Sequence, residues 1–141
     1  MRLPGLGRWS RLLALAYGFA LFVWLSVEDT ASWPPVLFGL GLSSLIAILL
    51  TLDKIGGRWL AGRYVPVVGF LLGAVIGLGT SLAAAVLMFF KNARHAHLFP
   101  DYPAGMMLAV LERAPLWAVA GALAGLSIGL AWLTLRGVVD E

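Results

Sequence analysis

Apolar residues in this chain fall in four long unbroken runs, not in the alternation of a half-buried strand or the narrow stripe of a surface helix. Leu12 to Val27, Pro34 to Leu52, Val65 to Phe90 and Leu116 to Leu135 contain no Asp, Glu, Lys, Arg or His. A helix needs about 20 apolar residues to cross a hydrocarbon core roughly 30 Å thick. The pattern therefore predicts an all-α integral membrane protein with four transmembrane helices, at about residues 10–27, 35–52, 65–90 and 116–135. The first run is short and needs Trp9 and Ser10 to complete its span. The third is longer than the core requires, so it must tilt or project.

The punctuation between the runs fits this reading. Pro34 and Pro35 suit a first helical turn, and Asp53 and Lys54 close the second span. Between the third and fourth spans, Asp101 and Pro103 signal a helix start. Met106, Met107, Val110 and Leu111 then recur at helical spacing before Glu112 and Arg113. This predicts a short amphipathic helix over 103–113 lying in the membrane interface, with a re-entrant segment as the competing reading. The connections are too small to hold a soluble catalytic domain, so residues 1–141 read as a single four-helix transmembrane domain, a membrane bundle.

Composition supports the membrane and then sets its direction. The chain is 61% hydrophobic and 12% charged with mean hydropathy +0.94, against roughly 45–50% and about 25% for soluble domains. A pI near 9.8, taken alone, points toward a nucleic-acid partner. The basic residues form no stripe, however; they sit at the ends of the apolar runs, which speaks against nucleic acid. Arg2, Arg8, Arg11, Lys54, Arg58, Arg63 and Arg136 fall on one side, and Lys91, Arg94 and Arg113 on the other. Basic loops stay in the cytoplasm. Both termini are therefore expected in the cytoplasm, with loops at about 28–34 and 91–114 outside the cytoplasmic membrane. Trp9, Trp59, Tyr64 and Trp132 would mark the inner interface, and Trp24, Trp33, Tyr102 and Trp117 the outer one. A cleaved signal peptide is the competing reading of the first run, but Tyr17 and Trp24 and its length favour a retained helix.

The strongest motif is a ladder of small residues in the third span: Gly69, Gly73, Gly77, Ser81 and Ala85, each four after the last. Residues so spaced share one helix face, which lets another helix approach its backbone closely. Gly121, Gly125 and Gly129 repeat the device in the fourth span. The two ladders either pack on each other within one chain or dock on another chain. The segments GAVIGLGTSL from Gly73 and GALAGLSIGL from Gly121 also resemble each other, a weak hint of an inverted repeat.

Candidate chemistry is sparse. Without cysteine, thiolate catalysis and iron–sulfur or thiolate–zinc sites are excluded within this chain. Proton-coupled transport usually places an ionisable group inside the membrane. Here Glu28 lies at or beyond the end of the first span. His95, His97 and Asp101 form a candidate metal or pH-sensing set, since alternate residues of an extended segment point the same way. Lys91 and Arg94, just past the third span, are candidates for a lipid headgroup phosphate, with simple snorkelling as the alternative. No cofactor is implied. The expected function is a non-enzymatic membrane protein, a small structural or accessory subunit whose partners are lipid, other membrane subunits or itself. A small oligomeric channel or transporter is the alternative.

Overall fold

The computed structural model describes residues 7–27, 30–56, 61–95 and 100–139. All regular elements among them are helical: α1 (Arg8–Ser26), α2 (Trp33–Ile55), α3 (Val65–His95), α4 (Ala104–Glu112) and α5 (Ala114–Val139), with a 3-10 turn at Gly62–Tyr64 leading into α3. Three stretches are long and apolar enough to cross a membrane: Trp33–Lys54, Gly62–His95 and Ala114–Arg136. The apolar part of α1, Ser10–Ser26, is shorter. At 1.5 Å per residue, α3 is about 46 Å long and outruns the hydrocarbon core by about half.

The helices do not close into a bundle. They form an open row with α3 at its centre: α2 and α5 pack on different faces of α3, and α1 rests on α2 and, at its C-terminal end, on α3 as well. The α3–α5 contact is the most extensive, and the glycine ladders make it. A Cβ on Gly69 would overlap the carbonyl oxygen of Gly125, one on Gly73 that of Gly121, and one on Gly77 that of Trp117. Seen from α5, Gly121 faces the Gly73 carbonyl and Gly125 that of Gly69, so the approach is reciprocal. Glycine hydrogens aimed at carbonyl oxygens in this way make Cα–H···O contacts, which recur at close helix pairs. Farther down, Gly129 is buried against the backbone of Pro66.

On its neighbouring face α3 receives α2 by the same means. A Cβ on Gly39 would come within 2.8 Å of both the Ala84 nitrogen and the Thr80 carbonyl oxygen. One turn on, the Ser43 hydroxyl donates to the Ile76 carbonyl at 2.9 Å. Pro35, Gly39, Ser43 and Ala47 are all buried and lie four residues apart. Helix α1 is held differently, by aromatic side chains. The Tyr17 ring lies against Gly41, its hydroxyl donates to the Phe38 carbonyl, and Trp24 stacks on Phe38 at 4.9 Å between centroids.

The helix expected over 103–113 is present as α4, but it does not lie across the end of the molecule as an interfacial helix would. Ser81 donates to the Val110 carbonyl at 2.7 Å, and Asn92 pairs with Tyr102 farther along α3. Two such contacts make α4 run lengthwise and antiparallel beside α3, leading directly into α5. Pro115 causes the break between them, because it has no N–H to offer the Leu111 carbonyl. The helical ladder resumes at Trp117, whose N–H donates to the Arg113 carbonyl at 3.0 Å. The end carbonyls of a helix need donors from elsewhere. Ser81 supplies one, which is the use this structure finds for the polar rung of the α3 ladder.

Gly73→Val should lower the unfolding free energy in detergent by about 3 kcal/mol or more, because its neighbour is backbone and cannot rotate away. Gly105→Ala, with nothing within 4 Å of the added carbon, should leave thermal unfolding unchanged or slightly raised. Equal behaviour of the two variants would show that α3 and α5 do not touch through Gly73.

Candidate functional site

Polar side chains with tertiary partners gather at one end of the row, where α1 ends, α2 begins and α3 runs on past Phe90. The extra turn of α3 carries Lys91, Asn92, Arg94 and His95. Lys91 points inward and is 0% exposed. Its ammonium lies over two aromatic faces, 4.6 Å from the Trp24 ring centroid and 5.6 Å from that of Tyr102. A buried cation costs free energy through lost hydration, and the electron-rich ring faces return part of it, about 2 kcal/mol for a desolvated pair. Tyr102 is also 0% exposed. Asn92 reads its backbone on both sides: Nδ2 donates to the Tyr102 carbonyl at 2.7 Å, and Oδ1 accepts from the Tyr102 N–H at 2.9 Å. The Tyr102 hydroxyl then donates to the Ala31 carbonyl at 3.0 Å. One tyrosine thereby ties the connection before α4 to the connection between α1 and α2.

Two further contacts complete the cluster. His95 Nδ1 is 2.7 Å from Asp101 Oδ2, and both side chains are largely buried. Arg94 donates to the Ser26 hydroxyl at 3.1 Å, with its guanidinium 4.9 Å from the Phe22 ring centroid. The indole Nε1 of Trp24 is buried with no hydrogen-bond partner among the described residues. The donors and acceptors of the cluster mostly serve one another or backbone carbonyls, which makes it a clasp across α1, α3 and the approach to α4.

The residues singled out from the sequence fare differently here. His95 and Asp101 come together, while His97 lies outside the described residues, as do Arg2, Glu28, Asp29, Arg58 and Trp59. Among the described residues no group of three or more His, Cys, Asp or Glu is placed to hold a metal ion. Lys91 and Arg94 part company: Arg94 is exposed and folds back over α1, whereas the buried Lys91 offers nothing to a headgroup in this arrangement. The ladder residues Gly69, Gly73, Gly77, Gly121, Gly125 and Gly129 all lie in the α3–α5 contact, with Ser81 bonded to α4 and Ala85 buried.

Asn92 and Tyr102 were not singled out for this role. Tyr102 read as one member of an aromatic belt, and nothing local in the sequence says that an asparagine ten positions earlier will bracket its peptide groups. The four-residue spacing of Pro35, Gly39, Ser43 and Ala47 is visible in principle, but one Gly and one Ser in an apolar run make a faint signal.

Compared with family models, curated proteins and solved structures, the chain matches none.

Asn92→Leu removes both partners of the Tyr102 backbone. It should cost about 2 kcal/mol or more, since each unpaired buried group carries a penalty of about 1–3 kcal/mol. It should also raise the hydrogen-exchange rate of the Tyr102 amide well above that of the α3–α5 core. Unchanged exchange at Tyr102 would refute the clasp.

Proposed function

We propose that this chain is a non-enzymatic multi-pass membrane protein with four spans, α1 included, that serves as a small accessory or assembly subunit. The observation that carries the reading is the open row. Helix α5 is 26 residues long and is gripped along one face by α3, leaving Leu116 and Leu135 each about 70% exposed. At the other edge, α1 leaves Leu15 and Phe19 each 71% exposed. The glycine ladders are spent on each other inside the chain, so a protein partner would meet these outer edges instead.

The use of hydroxyls favours this reading over a channel. Ser43 and Ser81 donate across helix contacts to the carbonyls of Ile76 and Val110, and Thr51, Thr80, Ser127 and Thr134 bond within their own helices. Hydroxyls committed to backbone carbonyls, across a helix contact or within a turn, do not line a path. The ionisable clasp sits at one end, outside the apolar runs.

The four-span reading puts both termini on the cytoplasmic side, following the excess of basic residues there. The absence of native cysteine makes this directly measurable with single-cysteine variants in intact cells. Ser32→Cys and Pro103→Cys should react with an impermeant maleimide added outside, and Lys54→Cys and Arg136→Cys should react after lysis. Reaction of Lys54→Cys from outside would reverse the orientation, and Gly7→Cys, which should stay protected until lysis, would remove α1 as a span by reacting from outside alongside Ser32→Cys.

Gentle extraction from native membranes, followed by mass determination and identification of co-purifying chains, tests the subunit reading. Other polypeptides should follow this chain in fixed ratio. A monomer or homo-oligomer without partners would overturn the proposal and direct attention to ion and solute flux in liposomes.

A further inference from the structure

One surface of the row is neither a helix contact nor an ordinary outer face. Between α2 and α5, along the first half of α3, runs an open cavity of about 470 Å³. Its walls include Leu40, Val68, Leu72, Ala124, Ile128 and Trp132, and its floor is the glycine contact of α3 and α5. The α3 residues that line it run from Val65 to Ile76, a length of about 16 Å at 1.5 Å per residue. That is half of a hydrocarbon core roughly 30 Å thick, the reach of an acyl chain in one leaflet.

The mouth of the groove gives the occupant a charge. Gly62 abuts this end of α5, where a Cβ on it would lie 3.5 Å from Leu133 Cδ2 and 3.9 Å from Trp132 Cζ3. The neighbouring Arg63 is exposed, with its guanidinium 4.9 Å from the Tyr64 ring centroid. Arg136, one turn beyond Trp132, is also exposed and stacks on that indole at 4.5 Å. Two guanidiniums braced on aromatic rings thus stand where the apolar groove opens to the interface. Arginine's fork of donors suits phosphate oxygens, and interfacial Trp and Tyr sit at headgroup level.

We propose that the α2–α3–α5 groove holds one acyl chain of an anionic phospholipid whose phosphate is bound by Arg63 and Arg136. The site is separate from Lys91 and Arg94, which lie at the opposite end of α3. It is also independent of the subunit reading, since it uses the inner face of the row and not its edges.

The test is fluorescence quenching in vesicles of phosphatidylcholine with phosphatidylglycerol as the minor component, with dibrominated acyl chains placed on one lipid or the other. The Trp132 signal is taken as the difference between wild type and Trp132→Phe. Brominated phosphatidylglycerol should quench Trp132 more than brominated phosphatidylcholine at equal mole fraction. Arg63→Gln and Arg136→Gln lie on exposed side chains, and each should reduce this preference by about fivefold. Ala124→Phe, which fills the groove from its wall, should reduce quenching by both lipids while leaving the mouth intact. Equal quenching by the two lipids in the wild type, or a preference that survives both arginine changes, would overturn the proposal. So would Trp132 shielded from both lipids in a protein that runs as a dimer, because a second copy would then occupy the groove.

Discussion

The structure depends on the backbone-to-backbone approach of α3 and α5. In lipid, apolar side chains gain little by leaving the solvent, because acyl chains are as apolar as leucine. Helix association must then come from dispersion and weak polar contacts that lipid cannot match, and both fall steeply with distance. Glycine at Gly69, Gly73, Gly77, Gly121 and Gly125 removes the side chains that would hold the axes apart, so each backbone lies against the carbonyls of the other. With α5 fixed in register on α3, the placement of α4 follows. The chain entering α5 from the Pro115 break has to run along the remaining length of α3, where Ser81 receives its Val110 carbonyl.

The other helices are held by progressively different means. Helix α2 meets α3 through Gly39 and the Ser43 hydrogen bond, a shorter version of the same close approach. Helix α1 is held through the rings of Tyr17 and Trp24 and through the clasp at its end. The clasp compensates for the thin contact of α1. Trp24 and Ser26 are joined to Lys91 and Arg94 on α3, and Ala31 is joined to Tyr102. Polar groups thus cluster where helix packing is weakest, at the end where α3 projects beyond the length a membrane core needs.

What was legible in the sequence was what the chain encodes one helix at a time. Run length gave the helices, Pro34 and Pro35 gave the start of α2, and four-residue spacing gave the ladders. The row was not legible, because which face of α3 meets α2 is a property of two helices together. Helix α4 shows the same limit. Its periodicity fits an interfacial helix and a helix packed lengthwise equally well, and the distinction rests on Ser81 and Asn92, far away in sequence. Lys91 is the sharpest case. A lysine at the end of an apolar run ordinarily reaches for water, and here it turns inward onto the rings of Trp24 and Tyr102, which arrive from other parts of the chain.

The groove is a consequence of how the two main grips are staggered on α3. Successive residues of an α-helix point about 100° apart, so Ile76 and Thr80 serve one neighbour while Gly77 and Ser81 serve another. Helices α2 and α5 are therefore splayed around α3 and do not pack together. The grips also differ in height: Gly39 and Ser43 engage α3 between Ile76 and Ala84, whereas the glycines of α5 engage it between Pro66 and Gly77. Below Ile76 the α2 side of α3 loses its tight partner while the α5 side keeps one. The groove lies there, beside the Val65–Ile76 stretch of α3. Closing it would require either a glycine face on the second half of α2, where Ile46, Ile48 and Leu50 stand exposed, or a bulkier floor that would separate α3 from α5. The residues that make the α3–α5 contact tight are the same ones that leave the groove its depth.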